Sequence, residues 1–183
     1  MELVLYPDPV LLRRAPPLEV IDEQVRERAA AMLELMYRES GVGLAAPQVG
    51  WSVRLFVMNP AGPEEREGER VFVNPRIVAA SDEKEIDEEG CLSIPEVRGK
   101  VARSVRIRVE AQDLSGASFA EDLEGLPARI VQHEYDHLDG LLFVKLLSPG
   151  ERLLVRKSLR QLEKEYGRER GAARGEGPSR ARR

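Results

Sequence analysis

The only two histidines of this 183-residue chain, His133 and His137, stand four residues apart, with Glu134 directly after the first. On a helix, positions four apart lie above one another on one face, so both imidazoles can reach a single cation while the glutamate stands beside it. The neighbours predict that helix. Leu126, Ile130, His133, His137 and Leu141 form an apolar stripe of helical period, which turns both histidines toward a core. Pro127 suits a first helical turn and Gly140 an exit. Two core histidines can also satisfy each other or the backbone, but that account leaves Glu134 beside them without a task. The pattern is the H-E-x-x-H arrangement of metal-dependent hydrolases.

The rest of the chain must pack around this helix. Residues 1–20, rich in proline and arginine, read as an extended arm. From the N-cap Asp22, the positions Val25, Ala29, Met32 and Met36 recur at helical spacing and predict a first helix ending near Ser40 and Gly41. The stretch Gly41-Val42-Gly43-Leu44-Ala45-Ala46-Pro47-Gln48-Val49-Gly50 superficially matches a dinucleotide fingerprint. That fingerprint must follow a strand and open a helix, whereas this one follows a helix, contains Pro47 and runs into the strand-like residues 53–58. Its glycines point instead to backbone that something approaches closely. Strand pieces are expected at 71–73 and 77–78 around Asn74-Pro75, and an acidic edge at 84–89. A strand over 103–113 should turn at Asp113-Leu114-Ser115-Gly116 into a hairpin partner over 117–123. Val155, Leu159, Leu162 and Tyr166 mark a last helix.

Two histidines leave a cation short of protein ligands, since a catalytic centre wants three and an open position. Cys91, the lone cysteine, follows Gly90 and precedes Pro95 in Glu89-Gly90-Cys91-Leu92-Ser93-Ile94-Pro95, and its thiolate would serve. The competing third ligand is a downstream carboxylate such as Glu163.

Residues 41–50, 89–95 and 132–138, in this order and at this spacing, closely resemble the bacterial peptide deformylase family, and the resemblance covers residues 1–165. It implies an α+β fold with antiparallel or mixed sheets around a central metal-binding helix, flanked by an N-terminal and a C-terminal helix. It implies that Cys91, His133 and His137 hold one divalent metal ion per chain, Fe²⁺ in the first place, with Zn²⁺, Ni²⁺ or Co²⁺ able to substitute. The implied reaction removes the N-formyl group of formyl-methionyl nascent peptides and releases formate. A hydroxide attacks the formyl carbon, Glu134 is general base and acid, and the Gln48 amide with the Leu92 backbone N–H holds the oxyanion. By the same resemblance Gly43 and Gly90 pair with the peptide as an added strand, and Arg98 lies near its backbone. Val42, Leu126 and Ile130 are the candidates for an apolar methionine pocket. Arg129 is expected at its mouth, and Glu89 is expected to bond either a ligand or Arg103.

Length and patterning fit one catalytic domain over 1–167 followed by a tail over 168–183. The tail has six arginines against two glutamates, about +4, so the remainder carries about −8 of the chain's net −4. Without an apolar pattern the tail is expected to be disordered, and with the last helix it is the expected contact for transient ribosome association. No apolar run approaches a membrane span, no membrane partner is expected, and the single cysteine agrees with a reducing cytoplasm. Two other classes compete: a conventional H-E-x-x-H endoprotease, whose metal binding would not depend on Cys91, and a non-catalytic metal or ribosome-associated module, indifferent to loss of Glu134.

Overall fold

The run Leu55-Phe56-Val57-Met58 is buried along its whole length, which a strand achieves only when both of its faces are covered. A computed structural model describes residues 1–173, with side chains through 168, and shows what covers them. Five strands form an antiparallel sheet in the order β1 (Gly43–Ala45), β2 (Leu55–Met58), β3 (Arg70–Ala80), β6 (Arg106–Gln112), β7 (Ser118–Glu124). Helix α1 (Glu23–Arg38) lies on one face, against Leu44, Leu55, Val57 and Val73. Helix α2 (Leu126–Leu138) lies on the other, against Ala45, Phe56, Met58, Phe72, Ile107 and Val109. Alternate residues of β1, β2 and β3 thus feed alternate cores, the period-2 rule of a pleated strand. Phe56 stacks on Phe72 with ring centroids 4.7 Å apart, fixing the register of β2 against β3 under α2.

The other two strands, β4 (Lys84–Cys91) and β5 (Ile94–Ser104), form a separate antiparallel ribbon. Ile94, Val97 and Val101 of β5 pack on Leu142, Phe143 and Val155, the last from helix α3 (Pro149–Ala173). This third core also takes Leu11 from the N-terminal arm. Tyr6 donates to Glu163 at 2.7 Å and Tyr166 to Asp8 at 2.9 Å, so the arm and α3 are stitched together by side chains as well as by apolar contact.

The α+β architecture, the Asp22 cap (Oδ1 accepting from the Val25 N–H at 3.0 Å) and the 106–124 hairpin agree with expectation. Four details differ. The expected strand over 103–113 is two elements, because β5 ends at Ser104 and β6 begins at Arg106; β5 itself was not anticipated. The pieces at 71–73 and 77–78 are one strand, continued through bulges by Asn74, whose positive φ of 51° is held by side-chain bonds to both backbone groups of Leu18. The arm is not simply extended: Pro9–Leu12 forms a 3-10 turn capped by Asp8 that plunges Leu11 into the core. The last helix runs past Gly167 to Ala173, so residues 168–173 are not the disordered start of a tail; the remaining tail, 174–183, lies outside the described residues. No helix among the described residues is long and apolar enough to cross a membrane.

Candidate metal centre and peptide cleft

Helix α2 and the ribbon meet where both carry ligand-forming side chains. Pro127 and the positive-φ Gly125 start α2 beneath the sheet, and burial of Ala128, Val131 and Leu138 sets its roll, so His133, Glu134 and His137 face the end of β4. There the ribbon closes in a two-residue turn, Leu92-Ser93, with a bulge between Gly90 and Cys91 that aims the thiol at the helix. The ligand atoms of Cys91, His133 and His137 all lie within 4.8 Å of one another, and the Cys91 Sγ is 3.2 Å from the His137 Nε2. Tetrahedral bonds of about 2.3 Å to sulfur and 2.0 Å to nitrogen hold such donors roughly 3.5 Å apart, so this set fits a divalent cation. It is the one such group of three among the described residues. Glu163 is not part of it, since it accepts from Tyr6 on the surface of α3.

The surroundings favour the same reading. Glu89 is buried and accepts from Arg103 Nε at 2.8 Å, Arg103 Nη2 at 2.9 Å and Arg129 Nη1 at 2.9 Å, and its Oε2 lies 3.0 Å from His133 Nδ1. A carboxylate on Nδ1 leaves the other ring nitrogen for a cation. Burial alone would push the Glu89 carboxyl up, but the bonds from Arg103 and His133 prevail and bring it down to about 2. Burial works against a charge on His133, yet Cys91, Glu89 and the charge of Glu134 raise it to about 10. His137 goes the opposite way: burial and the neighbouring His133 charge take it well below the usual imidazole value. Glu134 is buried, its Oε2 has no hydrogen-bond partner among the described residues, and burial raises its carboxyl to about 7. A buried carboxylate oxygen left without a donor is costly unless it serves something that comes and goes.

A cleft of about 380 Å³ opens over this cluster. Val42, Gly43, Gln48, Gly90, Leu92, Arg98, Leu126 and Ile130 all line it. Gln48 is oriented by its neighbours: its Oε1 accepts from the Ala45 N–H at 2.8 Å, which turns Nε2 toward Ser93 Oγ at 3.3 Å and Cys91 Sγ at 3.5 Å. Gly43 has a definite reason to be glycine, because a Cβ there would stand 2.5 Å from Glu134 Oε1. Val42 and Leu126 are exposed, at 39% and 53%, while Ile130 is buried beneath them. Leu126 is therefore cleft surface, not the first member of a core stripe.

Arg129 lines the cleft, as expected, but its guanidinium is engaged rather than free. It is buried and bonded to Glu89, the Val101 carbonyl and the Glu85 carbonyl. Asp136, unnoticed in the sequence, pairs with Arg103 and closes the same network. Both were findable, since Arg129 and Asp136 sit four before and three after His133 and so share its side of α2.

A family model described as polypeptide deformylase matches residues 1–153. The peptide deformylase of Thermotoga neapolitana is 46% identical over 87% of this chain and 94% of that protein. Among solved structures, peptide deformylase 1B of Arabidopsis thaliana superposes with a TM-score of 0.90 at 42% identity, covering 93% of this chain and 94% of that one. The Plasmodium falciparum peptide deformylase gives 0.89 at 38% identity, covering 91% and 97%.

Proposed function

The chain belongs to the polypeptide deformylase family, and on that premise we propose that it hydrolyses the N-formyl amide of formyl-methionyl nascent peptides and releases formate. The observation that carries this reading is the buried Glu134 Oε2, unpartnered among the described residues, beside three converging soft and borderline donors at the floor of the cleft. We assign Cys91, His133 and His137 as the ligands of one divalent ion. We read that ion as Fe²⁺, replaceable by Zn²⁺, Ni²⁺ or Co²⁺, because a thiolate with two imidazoles suits all four.

When bound, the cation supplies Lewis acidity, making a water acidic near neutral pH and polarising the formyl carbonyl. The protein's own residues do the rest. Glu134 takes the proton of the attacking water at its carboxylate and returns it to the departing amine. The Gln48 Nε2, pre-aimed through the Ala45 N–H, and the Leu92 backbone N–H at the ribbon turn receive the developing oxyanion. Among the described residues two strand edges are open to a peptide: β1 is outermost in its sheet, β4 pairs only with β5, and Gly43 and Gly90 stand on these strands within the cleft. A chain inserted between them is held by backbone bonds that ignore sequence. Val42, Leu126 and Ile130 offer the apolar surface for the methionine side chain, and Arg98 flanks the peptide beyond it.

We place the enzyme in the cytoplasm, where a reducing environment would keep Cys91 from oxidation. The exposed residues Arg156, Lys157, Arg160, Lys164 and Arg168 share one face of α3, which supports transient docking on ribosomal phosphate near emerging chains. The test is formate release from formyl-Met-Ala-Ser by the anaerobically purified protein and by Glu134→Ala. Formate from the first and at least a thousandfold less from the second is expected; cleavage of unmodified internal peptide bonds instead would indicate an endoprotease.

A further inference from the structure

The thiol and the imidazoles come from different parts of the fold. Cys91 ends β4, in a ribbon that is a sheet of its own, while both histidines ride on α2. Their convergence therefore depends on whatever sets the spacing between ribbon and helix. Arg129, one turn ahead of His133, spans that gap. Its Nη1 donates to Glu89 Oε1 at 2.9 Å and to the Val101 carbonyl at 3.1 Å, and its Nη2 donates to the Glu85 carbonyl at 2.9 Å. A single guanidinium thus grips β4 twice and β5 once from the helix.

The Glu89 end of this grip also reaches a histidine. Glu89 Oε1 takes Arg103 Nε and Arg129 Nη1, while Oε2 takes Arg103 Nη2 and faces His133 Nδ1 at 3.0 Å. With Oε1 saturated by two cations, the carboxylate cannot rotate, and Oε2 is held against the imidazole. Buried ion clusters of this kind give little net stability compared with apolar residues of equal volume, so the arrangement is better explained by the geometry it imposes.

We infer that Arg129 is a positioning residue for the metal centre: by gripping Glu89, Glu85 and Val101 together it fixes the distance between the thiol-bearing ribbon and the imidazole-bearing helix. The inference rests on the reading of Cys91, His133 and His137 as the ligand set. Lysine cannot take the place of arginine here, because an ammonium lacks the planar fork that meets acceptors on two strands.

The test uses the full chain loaded with Co²⁺, whose visible and near-ultraviolet bands report ligand geometry and thiolate coordination. Arg129→Lys and Arg129→Met are compared with Val25→Ala, a cavity in the α1 core remote from the centre. The expected result is Co²⁺ affinity, measured against a chelator, roughly 10- to 100-fold lower in both Arg129 variants, with a shifted thiolate band. Val25→Ala should keep the wild-type affinity and spectrum at a similar loss of thermal midpoint. The inference falls if the Arg129 variants match wild type, if Val25→Ala weakens binding as much, or if neither Arg129 variant folds, since the guanidinium would then hold the whole domain. A wild-type Co²⁺ protein without a thiolate band, or with one that survives Cys91→Ser, would instead refute the ligand set.

Discussion

Replacing Gly43 by alanine puts the geometry of the cleft to a sharp test. The added methyl would stand 2.5 Å from Glu134 Oε1, 3.0 Å from its Cδ and 2.9 Å from Ile130 Cγ2. Relief of the closest overlap to an ordinary separation of about 3.5 Å requires the carboxylate to retreat by roughly 1 Å. Glu134 is buried between α2 and β1, so it cannot swing into solvent; it must tilt away from the water it is meant to deprotonate. Misplacement of a reacting group by ~1 Å costs on the order of a hundredfold in rate, or about 2.7 kcal/mol in the barrier. The backbone of residue 43 keeps both its hydrogen-bonding groups, so peptide binding through β1 should persist. The expected kinetic signature is kcat about a hundredfold lower with KM within about threefold of wild type. Two opposing terms act on stability. Alanine restricts the unfolded chain, worth about 0.4–1 kcal/mol, while overpacking costs about 1–3 kcal/mol, so the midpoint should fall by only a few degrees. Formate production coupled to a dehydrogenase, with thermal melting of the same samples, gives both readouts. A Gly43→Ala enzyme with kcat near wild type would refute the claim that Glu134 must sit where it does, and a collapse of KM alone would assign Gly43 to peptide binding instead.

Other perturbations bear on separate parts of the site. Cys91→Ser replaces a soft sulfur donor by a hydroxyl and should leave a folded protein with substoichiometric metal by elemental analysis; full occupancy would return Cys91 to the status of a small half-buried side chain. Gln48→Ala removes a donor aimed at the oxyanion and should lower kcat about 10²- to 10³-fold without loss of metal, whereas an unchanged kcat would make Gln48 only a brace for Ala45 and Ser93. If the native ion is Fe²⁺ on a thiolate, activity should decay in air and Ni²⁺ exchange should protect it; an oxygen-insensitive half-life counts against iron. Reversing Arg156 and Arg160 to glutamate should abolish ribosome co-sedimentation at low salt while leaving formate release from a tripeptide intact, and retained co-sedimentation would separate α3 from any phosphate contact.

What could be read from the sequence depended on whether the signal was periodic or spatial. The α2 helix announced itself because its ligands and its apolar contacts share one period within thirteen residues. Strand β5 escaped notice although Val97, Gly99, Val101 and Arg103 alternate buried positions. A glycine and an arginine fill two of the inward places, and neither reads as apolar. Gly99 is inward because Leu147 packs where its Cβ would be, and Arg103 is inward because Glu89 and Asp136 neutralise it. The same blindness hid the partners of Arg129, which lines the cleft but is buried. A charged side chain can be buried only where partners from other elements converge on it, and its partners Glu85, Glu89 and Val101 lie 28 to 44 residues away. Leu126 failed in the reverse direction: it obeys the helical stripe yet is 53% exposed, because it lines the cleft. Local pattern and burial part company at Arg103, Arg129 and Leu126, and all three lie around the proposed centre, where packing is governed by what the site must hold rather than by hydrophobicity alone.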